Sequence, residues 1–89
     1  ELASALARPE FAGARFLVVG HTDARGPESV NQPLSERRAA AVAAYLARHR
    51  IDANRLRSIG RGSRQPLSAG HTEADHQMNR RVEVRFDTH

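Results

Sequence analysis

The run Arg15-Phe16-Leu17-Val18-Val19-Gly20, closed by glycine and followed downstream by helical spacing, constrains the fold more than any other stretch of the 89 residues. Its β-branched and aromatic content reads as a buried strand. His21 to Pro33 then carries Gly26, Pro27, Asn31 and Pro33, which predicts a loop leaving the strand's C-terminal end. Ser35 reads as an N-cap, and Ala39, Val42, Ala43 and Leu46 recur at helical spacing, so a helix is expected from about Glu36 to about His49. After a turn at Ile51-Asp52-Ala53-Asn54, Arg55 to Gly60 gives a weaker strand signal through Leu56 and Ile59. A strand–helix–strand unit of this length makes a crossover between parallel strands, which brings the loop after Gly20 and the helix start to one sheet edge.

That edge is chemically interesting. With Ser35 as N-cap, Glu36, Arg37 and Arg38 fall in the first helical turn, where the helix dipole favours acids over arginines. At roughly 100° per residue Arg38 lies near the line of Val42 and Tyr45, on the flank of the apolar face. Asp23 leaves the strand at the same edge, where ligands of open α/β sheets collect. A guanidinium clamps a carboxylate through two hydrogen bonds and a carboxylate holds an ammonium, so Asp23 and Arg38 together match the zwitterionic head of an amino acid. The competing expectation is a plain Asp23–Arg38 salt bridge tying loop to helix.

On either side the pattern is simpler. Glu1 to Arg8 is alanine-rich with Leu2 and Leu6 one turn apart, a helix tail stopped by Pro9, and Phe11 to Ala14 is a connection. Gly60 to Pro66 reads as a loop, and Leu67 to Gln77 as an irregular stretch or short helix. Val82, Val84 and Phe86 alternate with Arg81, Glu83 and Arg85, a strand with one face on the helices and one in water.

One small domain spanning 1–89, without internal repeats, accommodates these elements. There is no cysteine, so disulfides, cysteine-ligated metals and a cysteine nucleophile are ruled out. No run has the length of a membrane span, no signal-peptide pattern is read in these residues, and the opening inside a helical pattern is expected of a piece of a longer protein. All 14 basic residues are arginine and the net charge is +4, but they are spread from Arg8 to Arg85. With aromatics at 4% and no basic-aromatic run, the composition argues against nucleic acid as a partner. His21, Asp23, His71 and His76 lack ligand spacing on one element, which argues against a metal. Ser35, His21 and Asp23 do not form a hydrolase triad, since Ser35 is read as a cap and no nucleophile elbow is present. Neither an enzyme nor a cofactor is expected.

Gly20-His21-Thr22-Asp23, Gly26, Asn31, Leu34-Ser35, Arg38-Ala39, Gly60-x-Gly62, Pro66 and Asn79-Arg80-Arg81-Val82-Glu83 together, in this order, resemble the OmpA-like C-terminal domain found in outer membrane protein A, Pal lipoproteins and MotB-type proteins. The resemblance implies an α/β (α+β) sandwich of order β-α-β-α-β-β, helices on one face of a mixed sheet, with the family's first strand absent from this chain. It also implies non-covalent binding of peptidoglycan through meso-diaminopimelate, with Asp23 on the ligand's ammonium and Arg38 on its carboxylate. By the same match Thr22 and Asn31 line the pocket and Arg80 enters from the start of the last strand. The implied setting is the periplasm, with the parent protein tethered to the outer membrane or cell envelope; membrane contact comes only through other parts of that protein. Without the family's first strand, residues 82–86 are expected to form an exposed edge able to pair a homodimer. The alternative function is an envelope assembly module with a vestigial pocket. The chain departs from the family at Arg50, where glycine is common, and a left-handed arginine there costs roughly 1–2 kcal/mol.

Overall fold

The computed structural model describes residues 2–87. In chain order these form α1 (Leu2–Leu6), a 3-10 turn (Pro9–Phe11), β1 (Phe16–Gly20), α2 (Glu28–Arg48), a second 3-10 turn (Ala53–Arg55), β2 (Leu56–Gly60), α3 (Glu73–Asn79) and β3 (Val82–Phe86). The sheet has the order β2-β1-β3 and is mixed: β1 runs parallel to β2, pairing Phe16 with Leu56 through Gly20 with Gly60, and antiparallel to β3, pairing Phe16 with Phe86 through Gly20 with Val82.

Because side chains alternate along a strand, Phe16, Val18 and Gly20 turn to one face, as do Val82 and Val84. That face meets α2, and the core closes where Phe16 and Val18 pack with Ala3, Ala39, Leu46 and Ile51. The result is two layers, a sheet with helices on one side, as the strand and helix patterns require. Phe86, at the open end of β3, meets the Phe11 ring edge-on and the Phe16 ring at a tilt and is still largely exposed.

The contact between α2 and the sheet is closest at two glycines. A Cβ on Gly20 would run into the Ser35 carbonyl and the Ala39 amide, and one on Gly60 would strike Ser35 Oγ and the Glu36 amide. Only hydrogen at these positions lets α2 lie directly on the C-terminal ends of β1 and β2.

Two expectations for α2 fail together. The helix starts at Glu28 after Pro27, not at Glu36, and Pro33 sits inside it. Ser35 is therefore not an N-cap. It is fully buried in the helix, its Oγ donating to Gln32 O at 2.8 Å and accepting from the Gly62 amide at 2.9 Å. Pro33 withholds the amide that Ser29's carbonyl would have accepted, which normally ends a helix. Tertiary bonds hold the first turns regardless: the Glu28 carboxylate takes the Ser63 amide at 3.1 Å and its hydroxyl at 2.6 Å, and Gln32 Nε2 reaches Gly60 O at 2.8 Å. Arg37 and Arg38 consequently stand in the third turn, so no conflict with the helix dipole exists.

At the other end, Arg50 is left-handed with φ of 84°, as expected at that position. Of the stretch from Leu67 to Gln77, residues 67–72 are irregular and α3 then runs from Glu73 to Asn79, its capping box pairing Thr72 with Asp75.

Candidate functional site

Past Gly20 the chain continues along the sheet edge: the His21 amide donates to Arg81 O at 2.8 Å and the Thr22 amide to Gly62 O at 2.9 Å. These two bonds fix Asp23 between the loop after β2 and the run leading into β3. Asp23 is buried, at 7% exposure. Its Oδ1 accepts the Arg25 amide at 3.0 Å, and its Oδ2 accepts both Arg25 Nη2 at 2.7 Å and Arg80 Nη1 at 2.9 Å. Arg80 also donates through Nη2 to Glu73 at 3.0 Å, and Arg25 Nη1 lies 3.5 Å from the same carboxylate. Two acids and two guanidiniums thus close a four-membered ring of charges joining the loop, α3 and its C-cap.

The Arg25 hydrogen bond, with Arg80's added, outweighs burial and holds the Asp23 carboxyl far below the usual carboxylate range. Glu73 is lowered too, mainly by its bond to Arg80. The site keeps both negative charges at any physiological pH.

Of the residues singled out from sequence, Asp23, Thr22, Asn31 and Arg80 gather around this loop. Asn31, buried in the first turn of α2, donates Nδ2 to Arg25 O at 3.1 Å and Gly26 O at 3.4 Å, so it shapes the loop from inside. Thr22 is 4% exposed, and its Oγ1 has no hydrogen-bond partner among the described residues. Arg80 caps α3 and precedes β3, which begins at Val82; it reaches Asp23, while Arg81 turns instead to Glu83 at 2.5 Å and to Gln65 O at 3.0 Å.

Arg38 is not bonded to Asp23, so the simple loop-to-helix salt bridge does not form. It is half-buried, and its guanidinium has neither an ion pair nor a hydrogen bond among the described residues. Seven residues after Asn31, it falls within about 20° of Asn31 around the helix and roughly two turns further along. A half-buried guanidinium on the flank of a helix face is well suited to a carboxylate partner.

Sequence reasoning missed Arg25 and Glu73. Asp23-x-Arg25 carries a faint signal, an aspartate whose side chain accepts the amide two residues on; Glu73 carries none, since only the folding of α3 brings it here. Among the described residues no group of three or more His, Cys, Asp or Glu could hold a metal ion, and no helix is long and apolar enough to cross a membrane.

The mixed-sheet domain thus presents a cluster of two acids and two guanidiniums at the C-terminal end of its central strand. Residues 1–80 match the OmpA family model, and the chain belongs to that family. It is 41% identical over 75 residues to a peptidoglycan-associated lipoprotein of Legionella pneumophila, covering 84% of this chain and 43% of that protein. With outer membrane protein A of Bordetella avium it shares 46% identity over 69 residues, 78% of this chain and 36% of the other. The crystal structure of the peptidoglycan-associated lipoprotein from Burkholderia pseudomallei superposes with a TM-score of 0.86 at 28% identity, over 97% of this chain and 71% of that one. The chain spans less than half the length of the two sequence relatives, which are peptidoglycan-associated or outer-membrane proteins of the cell envelope.

Proposed function

We propose that this domain holds its parent protein to the cell wall by binding peptidoglycan non-covalently, through the meso-diaminopimelate of the peptide stem. The observation that carries the reading is Arg38, a half-buried guanidinium lacking any anion among the described residues, on the helix that also shapes the Asp23 loop. In this reading the ligand's carboxylate docks on Arg38 and its ammonium on Asp23, while Thr22 lies buried beside the aspartate and Arg80 steadies it. Asn31 keeps the loop in shape. The names of the relatives support the same ligand class, and the domain acts in the periplasm, tethered to the envelope by other parts of its parent.

No bond is made or broken; recognition is by charge and hydrogen bonding alone. Calorimetric titration with meso-diaminopimelate, with lysine as a control lacking the second carboxylate, tests the assignment. Saturable binding that Asp23→Ala weakens by about a hundredfold, with lysine weaker by about tenfold or more, is expected. Equal binding of lysine, or an unaffected Asp23→Ala variant, overturns it.

A second reading has β3 as a pairing edge between two copies in an assembly module. It is favoured by the position of β3 at one side of the described sheet and by Phe86, 57% exposed there. Sedimentation equilibrium decides: a dimer lost on Phe86→Lys supports it, and a monomer at all concentrations removes it.

A further inference from the structure

The opposite side of the sheet carries a feature unrelated to Asp23. The Arg61 amide donates to Gly20 O at 3.0 Å, so the amides of Arg57, Ile59 and Arg61 face β1 and those of Ser58 and Gly60 face outward. Gln32 takes the Gly60 carbonyl. The Ser58 N–H and C=O and the Gly60 N–H are left as an open hydrogen-bonding edge among the described residues.

A cavity of about 790 Å³ runs along that edge, lined by β2 itself and by Leu17, Glu36 and Ala40. On the face turned away from α2, Arg57, Ile59 and Arg61 stand in a row. Arg57 is shared with Asp87 at 3.0 Å, and Arg61 is exposed with no ion pair among the described residues. On the other face Ser58 and Gly60 are small and leave room beneath α2, where Glu36 disfavours a second acid.

We propose that β2 is a docking edge for an extended acidic segment of a partner protein, which adds as a fourth strand. The segment bonds to the Ser58 and Gly60 backbone and places acids opposite Arg57 and Arg61 with an apolar residue between them, opposite Ile59. Its pattern is acid–polar–apolar–polar–acid, the intervening polar residues pointing toward α2. Backbone bonds supply attachment and the alternate side chains supply selectivity. Charge complementarity chooses an acidic strand over a neutral or basic one, and over a second β2 edge, whose own arginines would be repelled.

The test uses the isotope-labelled chain and the probe acetyl-Glu-Thr-Val-Thr-Glu-amide, followed by amide chemical shifts and hydrogen exchange. Saturable shifts centred on Ser58 and Gly60, with slowed exchange of both amides, are expected. Arg61→Glu should weaken the probe at least tenfold and admit its lysine counterpart, acetyl-Lys-Thr-Val-Thr-Lys-amide, instead. A probe N-methylated at its valine and flanking threonine amides should not bind. The proposal fails if N-methylation changes nothing, since the contact is then charge alone. It fails equally if the shifts centre on Arg81 and Arg85, or if no saturation is reached with the folded chain.

Discussion

Arg80 places Nη1 2.9 Å from the same Asp23 oxygen that Arg25 holds at 2.7 Å, so one buried carboxylate carries two guanidiniums that arrive from opposite directions in the chain. Arg25 is 54% exposed and Arg80 only 28%, which makes Arg80 the fixed partner and Arg25 the displaceable one.

A ligand ammonium reaching Asp23 must therefore compete with Arg25. Arg25→Ala should tighten binding of meso-diaminopimelate by a few-fold at most, since an exposed ion pair holds Arg25 only weakly. Arg80→Ala should do the reverse, because Asp23 loses the partner that orients it. Calorimetry on the two variants side by side checks both signs; weaker binding by Arg25→Ala would mean that Arg25 contacts the ligand instead of obstructing it.

The Ser35 hydroxyl joins α2 to the loop after β2 by accepting from Gly62 N at 2.9 Å. Ser35→Ala leaves that amide buried without a partner, at a cost of about 1–3 kcal/mol. Urea unfolding should show the midpoint shift with an unchanged slope, while Ser35→Gly, which loses the same bond and adds helix-interior flexibility, should cost about 1 kcal/mol more.

Helix α2 begins at Glu28, ahead of the Glu36 start that its local signals predict. The strands were legible because β-branched residues at Val18 and Val19, and alternation at Val82, Val84 and Phe86, are local signals. Asp23 was legible because it follows a strand end. Pro33 and Asn31 are local loop signals as well, but they are overruled by Glu28 on Ser63 and Gln32 on Gly60, bonds between segments far apart in the chain. No spacing rule reports such bonds. For the same reason Arg25 and Glu73 were invisible as partners of Asp23 and Arg80, although the residues the resemblance named did gather at the loop, with Arg38 apart from them on the helix flank.

Acid should destabilise the domain in two stages with different owners. His21 is 1% exposed, and burial first, then Arg81, lowers its pKa; the charge of Glu83, 3.7 Å away, works against this and that of Arg85 and Arg61 with it. Neither ring nitrogen has a hydrogen-bond partner among the described residues. The folded state thus keeps His21 neutral where the unfolded chain binds a proton, so stability is full above pH ~6.5 and falls as pH drops below it, by no more than about 1.4 kcal/mol per unit. The carboxylates follow. Asp23, Glu73 and Glu83 are all lowered and Asp75 is brought to about 2 by Ser68 and Thr72, so their contribution is complete above pH ~5 and is lost progressively as the pH falls below that. His21→Phe should abolish the first stage in a melting-temperature profile against pH and leave the second; persistence of the first stage would assign it to another histidine.

Arg50 ends α2 in a left-handed turn with φ of 84°, the one non-glycine residue with positive φ among those described. An arginine pays for this conformation through its Cβ, whereas glycine adopts it freely. Arg50→Gly relieves roughly 1–2 kcal/mol of strain but enlarges the freedom of the unfolded chain by about 0.4–1 kcal/mol, so a net gain near 0.5–1 kcal/mol is expected. Arg50→Ala keeps the strain and should gain nothing, which separates backbone relief from the loss of a positive charge next to Arg48 and His49. If thermal unfolding shows the alanine variant matching the glycine variant, charge is the cause and the turn at Arg50 is unstrained.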